Sequence, residues 1–308
     1  MTTRSASRSS VPGVTRKAKA RLGMLFVLPG AAIVAIFFVF PLLNAVYFSL
    51  VDFDGINPNP PFVGLANYLR LVTDSAAGAA LLNNLLWVVI GTLAPLILGF
   101  VFALLLWTVG RSSVLYRLAF FIPHLLPVVA IAVVWGWIYN PIQGWLNGFL
   151  GMIGLSGLQR GWLGDPDTAL ISVLIAAIWA TYGFVLVILL SALRGVDPEL
   201  VEAARLDGAN SIQRAWHIVL PQITPVFLMV TTITLVGGFS VFDIIFVMTG
   251  GGPANATNVL GIHAFTAAFQ LADVGYGTTV ALAITVLSVP FVVLMNRLQK
   301  RLSLRGEQ

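Results

Sequence analysis

The sequence predicts an all-α polytopic membrane protein with six transmembrane helices, and two observations carry that reading. Only 9% of the 308 residues are charged and 58% are hydrophobic, against about 25% charged in a soluble domain; the mean hydropathy is +0.93. Charge is also missing from whole stretches: 22–50, 75–110, 118–159, 168–193, 215–242 and 274–296. A helix of about 20 apolar residues crosses a bilayer core of roughly 30 Å. These facts exclude a single soluble domain and a disordered chain, and the lack of cysteine excludes a disulfide scaffold.

The spans are expected at 22–48, 82–108, 118–140, 169–193, 222–248 and 275–297. The first uncharged stretch is about twice the 7–15 residues of a signal-peptide core, so it is expected to be retained as a span. The stretch 118–159 is too long for one crossing. Asn140-Pro141 divides it, because proline lacks an N–H and restricts the residue before it. The Gly- and Asn-rich segment that follows, with Trp145, suits an interfacial loop. Gly250–Pro253 ends the fifth span.

Lys and Arg set the orientation. With the N-terminus in the cytoplasm, the inner segments hold Arg4, Arg8, Arg16, Lys17, Lys19, Arg21, Arg111, Arg117, Arg194, Arg205, Arg214, Arg297, Lys300, Arg301 and Arg305. Of the 17 basic residues only Arg70 and Arg160 are left outside. By the positive-inside rule both termini are cytoplasmic. The formal charge of +5 therefore marks flanks beside anionic membrane lipid, and no nucleic-acid partner is expected.

Catalytic chemistry is not apparent. None of Lys17, Lys19 and Lys300 follows a glycine as a phosphate-binding loop requires. His124, His217 and His263 are far apart in sequence and are expected to be packed or interfacial, no soft-metal cluster is possible without cysteine, and no metal site is expected. No Ser/His/Asp set stands near a turn. The chain is thus expected to be no enzyme, to have no catalytic residues and no cofactor of its own, and to draw any energy from a gradient or another subunit.

The segment 194–221 carries more structure than a connecting loop. Asp197 can cap a helix with Pro198 at its first position and Glu199 in its first turn. That helix would run to about Leu206, with Gly208 as its stop. Ser211 can cap a second short helix ending before Pro221. Leu200, Ala203 and Ala204 form a small apolar ridge flanked by Glu202 and Arg205. On physics alone, a docking surface and a solvated amphipathic loop are equally open readings.

Here the sequence resembles a family. Glu202-Ala203-Ala204, Asp207-Gly208-Ala209 and Leu220-Pro221 resemble the EAA loop of ABC-importer permeases, in which that loop is the coupling helix that fits a groove on a cytoplasmic ATPase. Other segments are similar to the carbohydrate-importer, maltose-type branch: Phe62–Tyr68; Tyr116-Arg117, Phe120-Phe121, Pro123 and Leu126-Pro127; Trp135, Trp137 and Asn140-Pro141; and Val241-Phe242-Asp243 with Thr249–Thr257. The resemblance covers about residues 25 to 297. The Phe-Asp and Gly-Gly-Gly-Pro pattern looks like the first of the two permeases usually paired in this branch.

The resemblance implies a type I ABC importer permease fold in a bacterial cytoplasmic membrane. It implies a second permease as heterodimer partner, two cytoplasmic ATPase subunits that bind ATP and Mg, and an extracytoplasmic substrate-binding protein. It divides the chain into a basic tail at 1–21, expected to be disordered, a first span and extracellular loop at 22–80, a transmembrane domain at 81–297 with the coupling loop 194–221, and a C-terminal tail at 298–308. A sugar or related polyol is the implied cargo, with glycerol phosphate or its diesters carried by other members of the branch. A gradient-driven secondary transporter is the alternative of another class; it would need membrane-embedded acids or a repeat-built core, which the sequence does not offer.

For the substrate path, each intramembrane polar group is a candidate. Asp243 is the only acid in an expected span; at about 1.5 Å per residue it lies roughly 30 Å along the helix from Gln222, near the outer end. Cavity lining and an interfacial or packing role are both open for it. Asn83, Asn84, Thr181 and Tyr182 are candidates whose rival role is hydrogen bonding between helices. Asn140 and Trp137 are further candidates; Trp135 and Trp137 also suit an aromatic belt at the outer surface. Gly237-Gly238 suits a kink or a close helix contact.

The expected topology has a direct check. Reporter fusions at Gly157 and Gln308 should signal outside and cytoplasm respectively; a cytoplasmic signal at Gly157 or an external one at Gln308 would overturn it.

Overall fold

A computed structural model describes residues 16–109 and 113–303. Helices dominate these residues, together with one isolated antiparallel bridge between Val51 and Phe62. Arg4, Arg8, Arg111 and Arg305, counted above among the inner cations, lie outside the described residues.

The first span is α1 (Arg16–Val34), a wider π turn at Ala35–Val39, and α2 (Phe40–Phe48). Its start corrects the expected tail: residues 16–21 are helical, so the basic segment Arg16–Arg21 continues the apolar helix. Lys and Arg are good helix formers and let the helix run past the apolar stretch. The 23-residue apolar part, Phe26–Phe48, has no buried residue in its most apolar window; it joins the rest through α2 against the last helix.

After α3 (Ala66–Thr73), α4 spans Ser75–Val109, starting seven residues before the expected span. Asp74 explains the early start. Its Oδ1 accepts from the N–H groups of Ala76 and Ala77 at 2.8 and 3.3 Å, a side-chain cap at the helix start. Its other oxygen accepts from the Tyr276 hydroxyl at 2.6 Å and lies 3.3 Å from His263 Nε2. Burial pushes the Asp74 carboxyl up, but the Tyr276 hydroxyl, the two N–H groups and the His263 ring outweigh it and hold the carboxyl below its ordinary range. Arg70 pairs with Asp273 and lies 4.0 Å over the Tyr276 ring. One polar network thus ties α3 and the start of α4 to the last two helices.

The expected third span is broken. It comprises α5 (Ser113–Leu125) and α6 (Val128–Ile138), bent by 98° between them. Pro127 takes an extended ψ of 144° and has no N–H to return to the carbonyl of Pro123. The break at Leu126-Pro127 corrects the reading of 118–140 as one continuous helix. The end at Tyr139, just before Asn140-Pro141, agrees with expectation. Residues 145–152, expected as loop, form α7 (Trp145–Met152), with a 3-10 turn at Ser156–Leu158.

α8 (Pro166–Leu193), capped by Asp165, is the centre of the fold. In its apolar window 44% of residues are buried, more than in any other candidate span, and it packs on α4, α5 and the later helix Leu220–Phe239. Small residues allow the contacts. A Cβ on Gly99 of α4 would sit 2.6 Å from Val185 Cγ1, and one on Gly183 of α8 would run into the Phe120 carbonyl of α5. Leu96, Ala103, Leu186, Leu189, Leu193, Val219 and Val230 then close one core around these helices.

Beyond α9 (Pro198–Leu206) and α10 (Ser211–Arg214), a π turn at Ala215–Val219 leads without interruption into α11 (Leu220–Phe239). The second short helix was expected to end before Pro221. Instead the wide turn absorbs Pro221, Pro225 lies inside α11, and Ser211–Phe239 is one 29-residue helix. The fifth span then breaks: Ser240 to Phe242 leave helical geometry and α12 (Asp243–Met248) starts anew. This corrects the continuous helix 222–248. The two glycines in the last turn of α11 weaken it by about 1 kcal/mol each relative to alanine. Next come α13 (Leu260–Phe265), a π turn at Thr266–Gln270, and α14 (Val274–Ser303), which extends beyond the expected end at 297.

Gly183→Ala should destabilise the purified protein by about 2–3 kcal/mol, because the opposing atom is backbone and cannot rotate away. Gly237→Ala, where an added Cβ meets nothing within 4 Å, should change stability by no more than about 1 kcal/mol. Thermal unfolding in detergent compares the two; equal effects would refute the packing account.

Candidate functional site

Two regions of the chain are built for more than packing. The first is a cavity of about 540 Å³ lined by Trp87 and Gly91 of α4, His124 of α5, Thr181 and Phe184 of α8, and Thr234 and Gly237 of α11. Both helix breaks open onto it, through Leu126 and Val128 on one side and Ser240, Val241, Phe242 and Asp243 on the other.

Of the sequence candidates, Asp243 and Thr181 meet here. Asp243 is exposed, starts α12, and has no hydrogen-bond or ion-pair partner among the described residues. It lies at a helix start created by the break, which replaces the expected position on a continuous helix. Thr181 donates to Ala177 O at 2.8 Å, leaving its oxygen able to accept from a ligand.

The other candidates are placed elsewhere. Asn84 is buried, and its amide points at the carbonyls of Gly238 and Phe239 at 3.3 and 3.5 Å. It ties α4 to the end of α11, while Gly238 allows the approach, with a hypothetical Cβ 3.2 Å from Val88 Cα. Asn83 donates to the carbonyls of Ala256 and Asn258, pinning the 249–257 loop. That loop contains the cis Gly252-Pro253 bond and a 2.8 Å contact between the Thr249 and Thr257 hydroxyls. Tyr182, one residue on from Thr181, turns away to pack on Phe102 and Phe120. Asn140 caps its own turn through the N–H groups of Ile142 and Gln143. Trp137 is 73% exposed on the helix surface. Trp135 lines a separate pocket with Tyr139, Trp145 and Trp162.

Sequence reasoning missed His124, Trp87 and Ser240. His124 stacks on Phe184 with ring centres 4.8 Å apart and sits 3.1 Å from Ala180 O. Its signal was its place between Pro123 and Pro127, two prolines that each remove a donor from the helix ladder.

The second region is the projection formed by α9 and α10. Asp197 Oδ1 accepts from Glu199 N at 2.9 Å, as expected of a cap. Gly208, at φ 83°, ends α9, and Ala209 N bonds to Ala204 O while Gly208 N bonds to Arg205 O. That paired closure needs a left-handed residue after the helix, which glycine adopts without strain. The cap of α10 is Asn210 and not Ser211: its side chain accepts from Gln213 N, and Gln213 Oε1 accepts from Asn210 N. Two further ties fix the corner, Arg214 to Ala209 O at 2.6 Å and Asp197 N to Gln222 Oε1 at 3.1 Å. α9 itself has no buried residue. Leu200, Glu202, Ala203 and Leu206 are exposed, and Ala204, Asp207 and Gly208 border a notch of about 380 Å³ with Gln213 and His217. Glu202 and Arg205 lie 3.6 Å apart and are exposed, a pair that contributes little on its own. Leu220 is half-buried and, with Pro221, lies inside the continuous helix.

Residues 91–305 match the family of binding-protein-dependent transport system inner membrane components. The chain belongs to that family. It is a non-catalytic permease subunit of an ABC importer, a multi-pass protein of the inner membrane. It is 34% identical over 279 residues to a probable ABC transporter permease, YurN, of Bacillus subtilis, covering 90% of this chain and 95% of that one. It is 32% identical over 275 residues to the trehalose/maltose transport system permease MalF of Thermococcus litoralis, covering 89% and 92%. A chain of the bacterial alginate ABC transporter, solved with an alginate pentasaccharide-bound periplasmic protein, superposes with a TM-score of 0.79 at 21% identity, covering 92% and 95%. That likeness establishes the type I importer permease fold for this permease.

Proposed function

We propose that this permease forms half of the path by which a sugar or related polyol crosses the cytoplasmic membrane. The cavity where two spans break carries the reading. Backbone leaves helical geometry inside a membrane protein only where protein or a water-filled cavity shelters it, and such breaks expose groups that bind polar cargo. The lining offers Thr181, Ser240, Asp243 and His124 as polar groups beside the aromatic Trp87, Phe184 and Phe242. Stacking faces beside a few convergent polar groups suit a polyhydroxylated molecule. Asp243 carries an uncompensated negative charge and no Lys or Arg lines the cavity, which disfavours a phosphate ester. The Thermococcus relative, named for trehalose and maltose, supports the same class.

In this reading the α9–α10 projection couples the path to ATP hydrolysis on two cytoplasmic ATPase subunits, which hold the ATP and Mg. Glu202, Ala203, Ala204, Asp207 and Gly208 form the docking face, and Leu220-Pro221 joins it to the membrane helix. One projection per chain calls for a second permease to engage the second ATPase. A substrate-binding protein delivers cargo from the outer side, and both termini are cytoplasmic.

Two outcomes check this. Glu202→Lys and Gly208→Leu should leave membrane abundance normal, since both lie on a projection outside the membrane-spanning helices, while transport and co-purification of the ATPase are lost; Gly208→Leu acts by straining the left-handed end of α9. Reversing a desolvated interfacial charge costs about 2–5 kcal/mol, roughly 30-fold or more in affinity. Normal transport with full ATPase retention in both variants would refute the coupling role. In reconstituted vesicles, oligosaccharides should compete for uptake and Asp243→Asn should lower uptake about tenfold. Competition by glycerol phosphate alone would refute the sugar assignment.

A further inference from the structure

A second groove, distinct from the cavity and from the notch at Gly208, runs along the membrane face of α4 and reaches the inner side of the α9–α10 projection. Its volume is about 720 Å³, and Leu96, Val101 and Leu105 of α4 face Ile212, Trp216 and Phe227 across it. Its polar residues are confined to one end. Thr108 closes α4 there, and Ser211 and Arg214 stand opposite, whereas Leu96 and Phe227 mark the other end. From Leu96 to Thr108 the helix rises about 18 Å at 1.5 Å per residue, close to half of a roughly 30 Å bilayer core. The groove therefore has the depth of one leaflet, with its polar end at the surface that carries α9 and α10.

Charge at that end is unbalanced. Arg214 donates to Ala209 O and to Ser211 Oγ, both uncharged, and has no carboxylate partner among the described residues. Ile212 and Trp216 leave 71% and 60% of their surface open, and Ile97 60%. Trp216 stands where indole rings favour the boundary between hydrocarbon and headgroups.

We infer that this groove binds one anionic phospholipid of the inner leaflet, with an acyl chain along Leu96–Leu105 and the phosphate at Arg214. The amphipathic gradient, the leaflet depth and the unpaired cation each match that molecule. A helix of a second permease would satisfy the apolar wall but would leave Arg214 uncompensated. Val201 of α9 also lines the groove, so the bound lipid props the α9–α10 projection against α4. That consequence rests on the coupling role proposed above; the binding itself does not.

The test uses the complex purified in detergent and titrated with phosphatidylglycerol or phosphatidylcholine, read by native mass spectrometry. The wild type should retain one phosphatidylglycerol per copy of this chain with at least fivefold preference over phosphatidylcholine. Arg214→Gln should abolish the preference, and Val101→Trp, which fills an open groove, should abolish retention. A benzophenone side chain in place of Ile97 should give lipid adducts, which reads the site even if Val101→Trp fails to assemble. Equal retention of the two lipids by the wild type, unchanged retention in Val101→Trp, or adducts to a second permease in place of lipid would each overturn the inference. Loss of lipid retention in Val101→Trp, on α4 and outside the α9–α10 corner, with ATPase binding intact separates this site from the coupling face.

Discussion

In a bilayer core every backbone N–H and C=O must find a partner inside the protein, and the architecture of this permease follows from where that demand is met and where it is relaxed. It is met along α4 and α8, long helices brought together where Gly99 of α4 lies against Val185 and Leu186 of α8. It is relaxed at Leu126-Pro127 and at Ser240–Phe242, and both breaks face one cavity. The coincidence is physical. A break facing lipid would leave carbonyls unpaired at a cost of several kcal/mol each, whereas a break facing a sheltered polar volume can have its groups taken up by water or cargo. The site is where the fold permits irregular backbone.

The packing that surrounds the breaks is tight where it must fix them. Asn84 holds the α4 backbone beside the carbonyls of Gly238 and Phe239, one residue before the break at Ser240. His124 reaches across to Ala180 O just before the break at Leu126. Of the groups read from sequence as possible cargo ligands, Tyr182, Asn140 and Trp137 lie away from the cavity, and the other four divide into two kinds. Asn84 and Asn83 position irregular backbone, and Asp243 and Thr181 face the space that this backbone encloses.

The number and placement of spans were legible in composition because charge is excluded from hydrocarbon whatever the tertiary contacts. The α9 helix was legible for another reason: Asp197, Pro198 and Gly208 act on their own local backbone, through a cap, a fixed φ and a left-handed stop. What escaped the sequence depends on neighbours. Pro123, Pro127, Pro221 and Pro225 all interrupt the hydrogen-bond ladder on paper, yet only Pro127 breaks a helix, while a π turn absorbs Pro221. Local chemistry does not distinguish them; the surroundings into which each kink would open do. The same holds for Thr181 and Tyr182, adjacent in sequence and facing different volumes because a helix turns by about 100° per residue.

The continuity of Ser211–Phe239 has a mechanical consequence. This 29-residue helix is about 43 Å long at 1.5 Å per residue. It begins in the capping box of Asn210 and Gln213 and ends beside the break that carries Asp243. A hydrogen-bonded helix resists compression, so a displacement of the α9–α10 corner reaches the cavity as rotation or translation of one rod. Its compliant part is the segment 215–225, where the π turn and two prolines thin the ladder close to the corner. At the far end, the interruption at Ser240 lets α12 stay with its neighbours α6 and α8 while α11 moves. A continuous helix through 248 would carry Asp243 rigidly with the rod. The break instead allows motion at one end of the helix to change the shape of the cavity at the other, which is the linkage that the proposed coupling from the α9–α10 corner would require.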